Sequence, residues 1–121
     1  MDRVKGKVAF ITGAARGQGR SHALLLAAEG ADIIATDLCG SVSWTTYGGS
    51  DAADLAETVR LVETAGGRIK AFEADVRSTD ALALAAQQGA DHFGKIDVVI
   101  ANAGVGRLSS WDNVTAAVWQ Q

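Results

Sequence analysis

Proline is absent from the 121 residues and cysteine occurs once, at Cys39. A single cysteine cannot close an internal disulfide, which implies a reduced, cytoplasmic setting. With no proline and only 21% charged residues, no stretch has the composition of a disordered segment. Basic residues are also in short supply. Eleven Lys and Arg stand against 14 Asp and Glu, a net charge of −3, and they are scattered along the chain. That distribution excludes a phosphate-binding face for nucleic acid and argues against an anionic membrane surface. No apolar run approaches the ~20 residues of a membrane span. The opening MDRVKGKVAFITGAARG starts positive and turns apolar, as a signal peptide does. Its apolar stretch covers only residues 8–11 before glycines begin, so a first strand is expected instead. Hydrophobic residues, at 48%, suffice for the core of one domain.

Strand and helix patterns alternate along the whole chain. Residues 8–11 form an apolar run ending at Thr12-Gly13, as a strand buried on both faces would. A helix is expected over 17–29, with Ala23, Leu26 and Ala27 inward and Gly30 as its stop. Residues 31–36 read as a second strand ending at Asp37. Residues 38–50, LCGSVSWTTYGGS, have no period and exceed the usual βα connection of ~2–6 residues. A second helix is expected over 51–65, carrying Leu55, Val59 and Val62 on one face and ending at Gly66-Gly67. A third strand follows over 68–74 and a third helix over 79–93, with Leu82, Ala86, Gly89 and Phe93 inward. Residues 96–101 read as a fourth strand, and a fourth helix is expected from Asp112 onward, about 15 Å of it. Strands joined by helices pair in parallel through crossovers. The expected fold is therefore α/β: a Rossmann-type doubly wound parallel sheet, strand order 3-2-1-4, in three α/β/α layers. The fourth strand is expected to be an open edge.

In such a sheet a ligand sits beyond the carboxyl ends of the strands, where strand order reverses. The first turn there reads Thr12-Gly13-Ala14-Ala15-Arg16-Gly17-Gln18-Gly19. Gly13 permits a sharp turn, Gly17 lets backbone N–H groups approach a pyrophosphate, and Gly19 lets the helix pack closely. The helix start then offers free donors and partial positive charge. A glycine-rich turn without a ligand has the same composition; the strand before and the helix after favour phosphate. Asp37, at the tip of strand two, can accept hydrogen bonds from adenosine ribose hydroxyls and would repel a 2′-phosphate. A plain strand-end aspartate is the alternative.

These features together resemble the short-chain dehydrogenase/reductase family. Its T-G-x-x-x-G-x-G turn matches Thr12, Gly13, Gly17 and Gly19; its D-V pair after strand three matches Asp75-Val76; its N-A-G after strand four matches Asn102-Ala103-Gly104. Ala101 stands where many members carry a second Asn. The stretch GAARGQGRSHA, the DLC at 37–39 and the long loop are most similar to the carveol-dehydrogenase-type, mycofactocin-associated branch. The resemblance implies that Gly13, Arg16, Gly17, Gln18 and Gly19 serve the diphosphate and its ribose. It sets Asp37 and Leu38 beside the adenosine ribose and Asp75 and Val76 beside the adenine. Asn102, Ala103 and Gly104 would line the path to the nicotinamide ribose. Arg16, a basic residue before the second glycine, argues for NADP in this family; Asp37 argues against it. NAD is the expected cofactor, because a carboxylate facing a phosphate repels it while Arg16 can turn to pair with Asp37 or solvent.

The family's chemistry uses a Tyr as acid/base, a Lys four positions later and a Ser that polarises the substrate oxygen. Tyr47 is the only tyrosine, and Asp51 occupies the position where that Lys would be. Tyr47 also belongs to the loop expected near the adenosine, so no catalytic residue is assigned. Trp44 and Tyr47 either fold over the adenosine or anchor the loop. His22 and His92 lack metal-ligand spacing and read as packing or surface residues, so no metal site is expected. Cys39 is either a reactive thiol or a small buried filler. Residues 1–121 are thus expected to be the N-terminal part of a single dinucleotide-binding domain. In full-length form this would be an NAD-dependent oxidoreductase of a small-molecule alcohol or ketone, as a homo-oligomer (dimer or tetramer). Two other readings stay open: a non-catalytic NAD-binding module, and an S-adenosylmethionine-dependent methyltransferase.

Overall fold

The short apolar runs become strands because each is buried and ends at a turn-forming residue. In the computed structural model, which describes residues 2–43 and 45–120, they form β1 (Val8–Thr12), β2 (Asp32–Asp37), β3 (Ile69–Glu73) and β4 (Val98–Ile100). All pair in parallel in the order β3-β2-β1-β4, as the sequence predicts. The register sets Thr12 opposite Thr36 and Asp37 opposite Glu73. The strand tips therefore finish level along one edge, and every loop leaving them opens on the same side.

Alternation along the strands sorts side chains to two faces. Ala9, Ile11, Ile33 and Ala35 pack with Ala23 of α1 (Gly17–Ala28) and with Leu55 and Val62 of α2 (Ala52–Thr64). Val8, Phe10 and Ile34 pack beneath α3 (Thr79–Phe93) with Ala85, Leu82, Ala86 and Phe93. The three layers are those expected, and α2 and α3 begin where read. Asp51 caps α2 through a reciprocal pair with Asp54, and Ser78 caps α3.

Two elements differ from the sequence reading by more than one residue at an end. Strand four is three residues long, not six. Asp97 keeps one main-chain bond to β1, its N–H to the Val8 carbonyl at 2.9 Å, but its carboxylate, not a main-chain carbonyl, accepts the Val8 N–H at 2.8 Å. That bond, with Lys95 beside it, holds the Asp97 carboxyl below its ordinary pKa. At the other end Asn102 turns its N–H to the Thr12 hydroxyl. The helix expected from Asp112 is also displaced. A 3-10 turn covers Trp111–Asn113, Val114 is extended, and Thr115 caps a four-residue α4 (Ala116–Trp119). Trp111 and Trp119 are 89% and 83% exposed, so no packed apolar face supports a longer helix here. Among the described residues, no helix is long and apolar enough to cross a membrane.

Gly89 sets how close α3 lies to the sheet. A Cβ there would fall 2.6–2.8 Å from three side-chain carbons of Ile34. Overpacking of this kind costs about 1–3 kcal/mol, against about 1 kcal/mol gained when helical Gly becomes Ala. Gly89→Ala is therefore expected to lower the melting temperature of the intact protein. An unchanged or raised value would mean that α3 moves off Ile34 freely.

Candidate functional site

The loops at the strand tips enclose a cavity of about 550 Å3, within the usual range for a ligand pocket. Gly13, Arg16, Gly17 and Gln18 line it after β1, Asp37 and Leu38 after β2, Asp75 and Val76 after β3, and Asn102, Ala103 and Gly104 after β4. Gly19 is the one residue of the predicted set that lies behind the wall. A Cβ on it would overlap the Gly13 carbonyl and come within 2.8 Å of Asn102 Nδ2, so its role is close packing.

The glycine turn is built from both neighbouring strands. Gly13 has φ +67°, and a Cβ on it would stand 2.8 Å from Ala103 Cα. The Thr12 hydroxyl accepts the Asn102 and Ala103 N–H groups at 3.1 and 3.0 Å. Asn102 Nδ2 donates back to the carbonyls of Thr12 and Gly13 at 3.1 and 3.2 Å. The Asn102 side chain thus clamps the turn, a use not visible in the sequence, while the segment still borders the cavity. Gly17 is the converse case. Its φ is +57° and the space where a Cβ would stand is empty to 4 Å. Arg16, the residue before α1, supplies no side-chain cap, and the first turn carries no acid, whereas Asp51, Ser78 and Thr115 cap the other α-helices. Uncapped N–H donors behind a missing Cβ fit the diphosphate of a dinucleotide.

Asp37 is buried at 9% exposure and is satisfied from three directions. Its Oδ2 accepts the Ala15 N–H at 3.0 Å; its Oδ1 accepts the Cys39 N–H at 3.0 Å and the Ser50 hydroxyl at 2.5 Å. Arg16 does not pair with Asp37. Its Nη2 donates to the Gly48 carbonyl at 2.9 Å, fastening the long loop. A second arginine, missed in the sequence, supports the turn from behind. Arg20 donates to Thr58 Oγ1 at 3.0 Å, to the Ala15 carbonyl at 2.5 Å and to the Asp54 carbonyl at 2.8 Å. Thr58, fully buried, passes its own proton to the Ala14 carbonyl at 2.8 Å. On the β3 side, Arg77 grips Asp75 through its main-chain N–H at 2.9 Å and its guanidinium at 2.7 Å. This holds the Asp75 carboxyl below its ordinary pKa and puts Arg77 on the cavity wall.

The loop over residues 38–50 is a closed excursion whose ends touch, with the Gly49 N–H on the Ser41 hydroxyl at 2.9 Å. From it Tyr47 reaches across the mouth, its hydroxyl accepting the Gly106 N–H at 2.9 Å. The sequence sets Tyr47 on the loop beside strand two and leaves its role open; the contact with Gly106 is one that neither reading contained. The loop bridges to the segment beyond β4, a direction that an aperiodic sequence does not encode. Trp44 lies outside the described residues. Asp51, four positions after Tyr47, caps α2, and no lysine lines the cavity among the described residues. His92 stands edge-on to Phe93 at 4.7 Å.

Cys39 is partly buried and packs against the core, which favours the filler of the two readings. Burial, then the carboxylates of Asp37 and Glu73, push its thiol up to about 11. Only the thiolate is nucleophilic, so alkylation at pH 8 should run roughly a hundredfold slower than at an unperturbed thiol. Its rate with iodoacetamide should keep rising beyond pH 10. A plateau near pH 9 would contradict the assignment.

A parallel sheet of this order, with a glycine turn at its switch point and an acid at the tip of β2, defines a Rossmann-type doubly wound fold. A family model for short chain dehydrogenase matches residues 7–121, and the chain belongs to the short-chain dehydrogenase/reductase family. It is 54% identical over 110 residues to an uncharacterized oxidoreductase of Mycobacterium tuberculosis, covering 91% of this chain and 40% of that one. It is 45% identical over 105 residues to a (-)-trans-carveol dehydrogenase of Rhodococcus erythropolis, covering 87% of this chain and 38% of the other. Among solved structures it superimposes on a carveol dehydrogenase from Mycobacterium avium in complex with NAD, with TM-score 0.94 and 50% identity over 98% of this chain and 43% of that one. The chain spans about two fifths of the length of the relatives it matches. Family membership sets aside the methyltransferase reading.

Proposed function

We propose that residues 1–121 form the N-terminal, cofactor-holding part of one dinucleotide-binding domain, in an NAD(H)-dependent oxidoreductase that interconverts a small secondary alcohol and a ketone. The observation that carries this reading is the cavity itself. An uncapped helix start and the open face of Gly17 stand on one side of it, and the Asp37 carboxylate on another. Likeness to a carveol dehydrogenase in complex with NAD supports it. On this reading Gly13, Gly17 and Gln18 receive the diphosphate, with Arg16 at the rim. Gly19 holds the turn closed behind them. Asp37 and Leu38 take the adenosine ribose, and Asp75 and Val76 the adenine. Asn102, Ala103 and Gly104 lead toward the nicotinamide ribose. NAD, when bound, supplies the hydride acceptor; the chain's own residues orient it. None of them is assigned acid/base chemistry. The whole protein is read as cytoplasmic and homo-oligomeric, with neither nucleic acid nor membrane as partner.

Asp37 decides the cofactor. NAD should bind the intact protein at least about tenfold tighter than NADP, a difference of ~1.4 kcal/mol, and Asp37→Ala should narrow that gap. Equal or tighter NADP binding by the unaltered protein, measured by titration calorimetry, would reverse the assignment and make Arg16 the deciding residue.

The Tyr47 bridge supports a second statement about the same site. With its hydroxyl tied to the Gly106 N–H, the loop crosses the mouth through which a bound dinucleotide leaves. Tyr47→Phe removes that acceptor and should raise the NAD off-rate several-fold in stopped-flow displacement. An unchanged off-rate would leave the loop without a role in retention.

A further inference from the structure

We infer that Ser50 is a positioning and specificity-determining residue of the nucleotide site. By committing its only proton to Asp37, it leaves an acceptor-only face that takes a ribose diol and rejects a 2′-phosphate. This rests on the proposed reading of the cavity as a dinucleotide site.

Ser50 and Asp37 are each only 9% exposed, and both line the cavity. A serine hydroxyl has one proton and two acceptor positions. At 2.5 Å from Asp37 Oδ1, that proton lies in a charge-assisted bond at the short end of the range. It is unavailable for any ligand. Asp37 offers roughly four acceptor positions, and the Ala15 N–H, the Cys39 N–H and the Ser50 hydroxyl take three. One remains. With Ser50 in place, Asp37 therefore has one open position for a ribose hydroxyl, the position that Ser50 holds being turned toward residue 50 and not toward the cavity, while a 2′,3′-diol brings two donors. Ser50 Oγ supplies the second acceptor, made more basic by the carboxylate it donates to.

A 2′-phosphate brings oxygens and no comparable donors. It would meet a carboxylate and a hydroxyl whose proton points away from it. Of the two arginines on the cavity wall, Arg16, within the turn, is engaged with the Gly48 carbonyl and Arg77 with the Asp75 carboxylate. The geometry of Ser50 is preset by its neighbour, since the next residue, Asp51, is locked into the α2 cap by bonds to and from Asp54. Ser50 is also the last residue of the long loop, so the loop's return point and the group that recognises ribose are joined by a single hydrogen bond.

The test is titration of the intact protein and its variants with NAD and with NADP. In Ser50→Ala, NAD should weaken about tenfold while NADP changes by less than about twofold, so that the preference shrinks. Ser50→Thr, which keeps the hydroxyl, should keep the preference. Should Ser50→Ala fail to fold, Ser50→Cys carries the same test, because a thiol is a weak donor and its preference should also shrink. Equal weakening of both cofactors, or of neither, would overturn the inference and reduce Ser50 to a structural contact. Failure of the unaltered protein to bind either cofactor would instead overturn the reading of the cavity.

Discussion

The Asp37 carboxylate is the point on which the site depends. It is a buried charge, and a buried charge is tolerated only where donors surround it. Its three donors come from three separate pieces of chain: Ala15 in the glycine turn, Cys39 just past the strand, and Ser50 at the far end of the long loop. Satisfying one charge therefore fixes the relative positions of the β1 turn, the β2 tip and the start of α2. Thr58 and Arg20 finish the same task from behind, by binding the Ala14 and Ala15 carbonyls that the turn turns inward. The turn can expose its outer N–H groups because its inner polar groups are already occupied.

The second half of the scaffold is the exchange between Thr12 and Asn102. Each donates to or accepts from the other's backbone, so the tips of β1 and β4 move as one unit. Tyr47 extends that linkage outward, from the loop beyond β2 to Gly106 beyond β4. The cavity is consequently bordered on all sides by segments that are tied to one another. The strand edge that carries Val99, 65% exposed, is tied to nothing among the described residues beyond β1.

Legibility in the sequence followed the kind of constraint at each position. Gly13 and Gly17 were readable because positive φ and close approach admit almost nothing else. Asp37 was readable because its charge falls at a strand tip set by hydrophobic pattern; alternation of periods implied parallel pairing, and the strand order came from the doubly wound pattern it matches. Ser50, Thr58, Arg20 and Arg77 were not readable. Each is a residue type at home on any surface, and its function depends on a partner brought near only by the fold. Thr58 lies in a helix whose apolar face is marked by Leu55 and Val62 on either side of it, which signals burial but not an oxygen's partner. The segment after β4 misled for a different reason. Helices this short owe their stability to packing, and Trp111 and Trp119 are 89% and 83% exposed.

The division of labour in the chain follows from the same geometry. On the proposed reading, a glycine turn, an uncapped helix start and a carboxylate would meet parts of a dinucleotide that do not change during hydride transfer. Contacts of that kind are equal in ground and transition states, so they contribute affinity and orientation but little rate. Rate requires a group that meets charge developing on the substrate oxygen. Tyr47 has the right functional group, but its hydroxyl oxygen accepts the Gly106 N–H, and among the described residues no lysine lines the cavity beside it. The tightness of the cofactor half is nonetheless a precondition for that chemistry. A hydride moves only when donor and acceptor carbons are held in near contact. On the proposed reading that hold would pass from the turn through Asp37 and Ser50 into the long loop, and through Thr12 and Asn102 into the tip of β4.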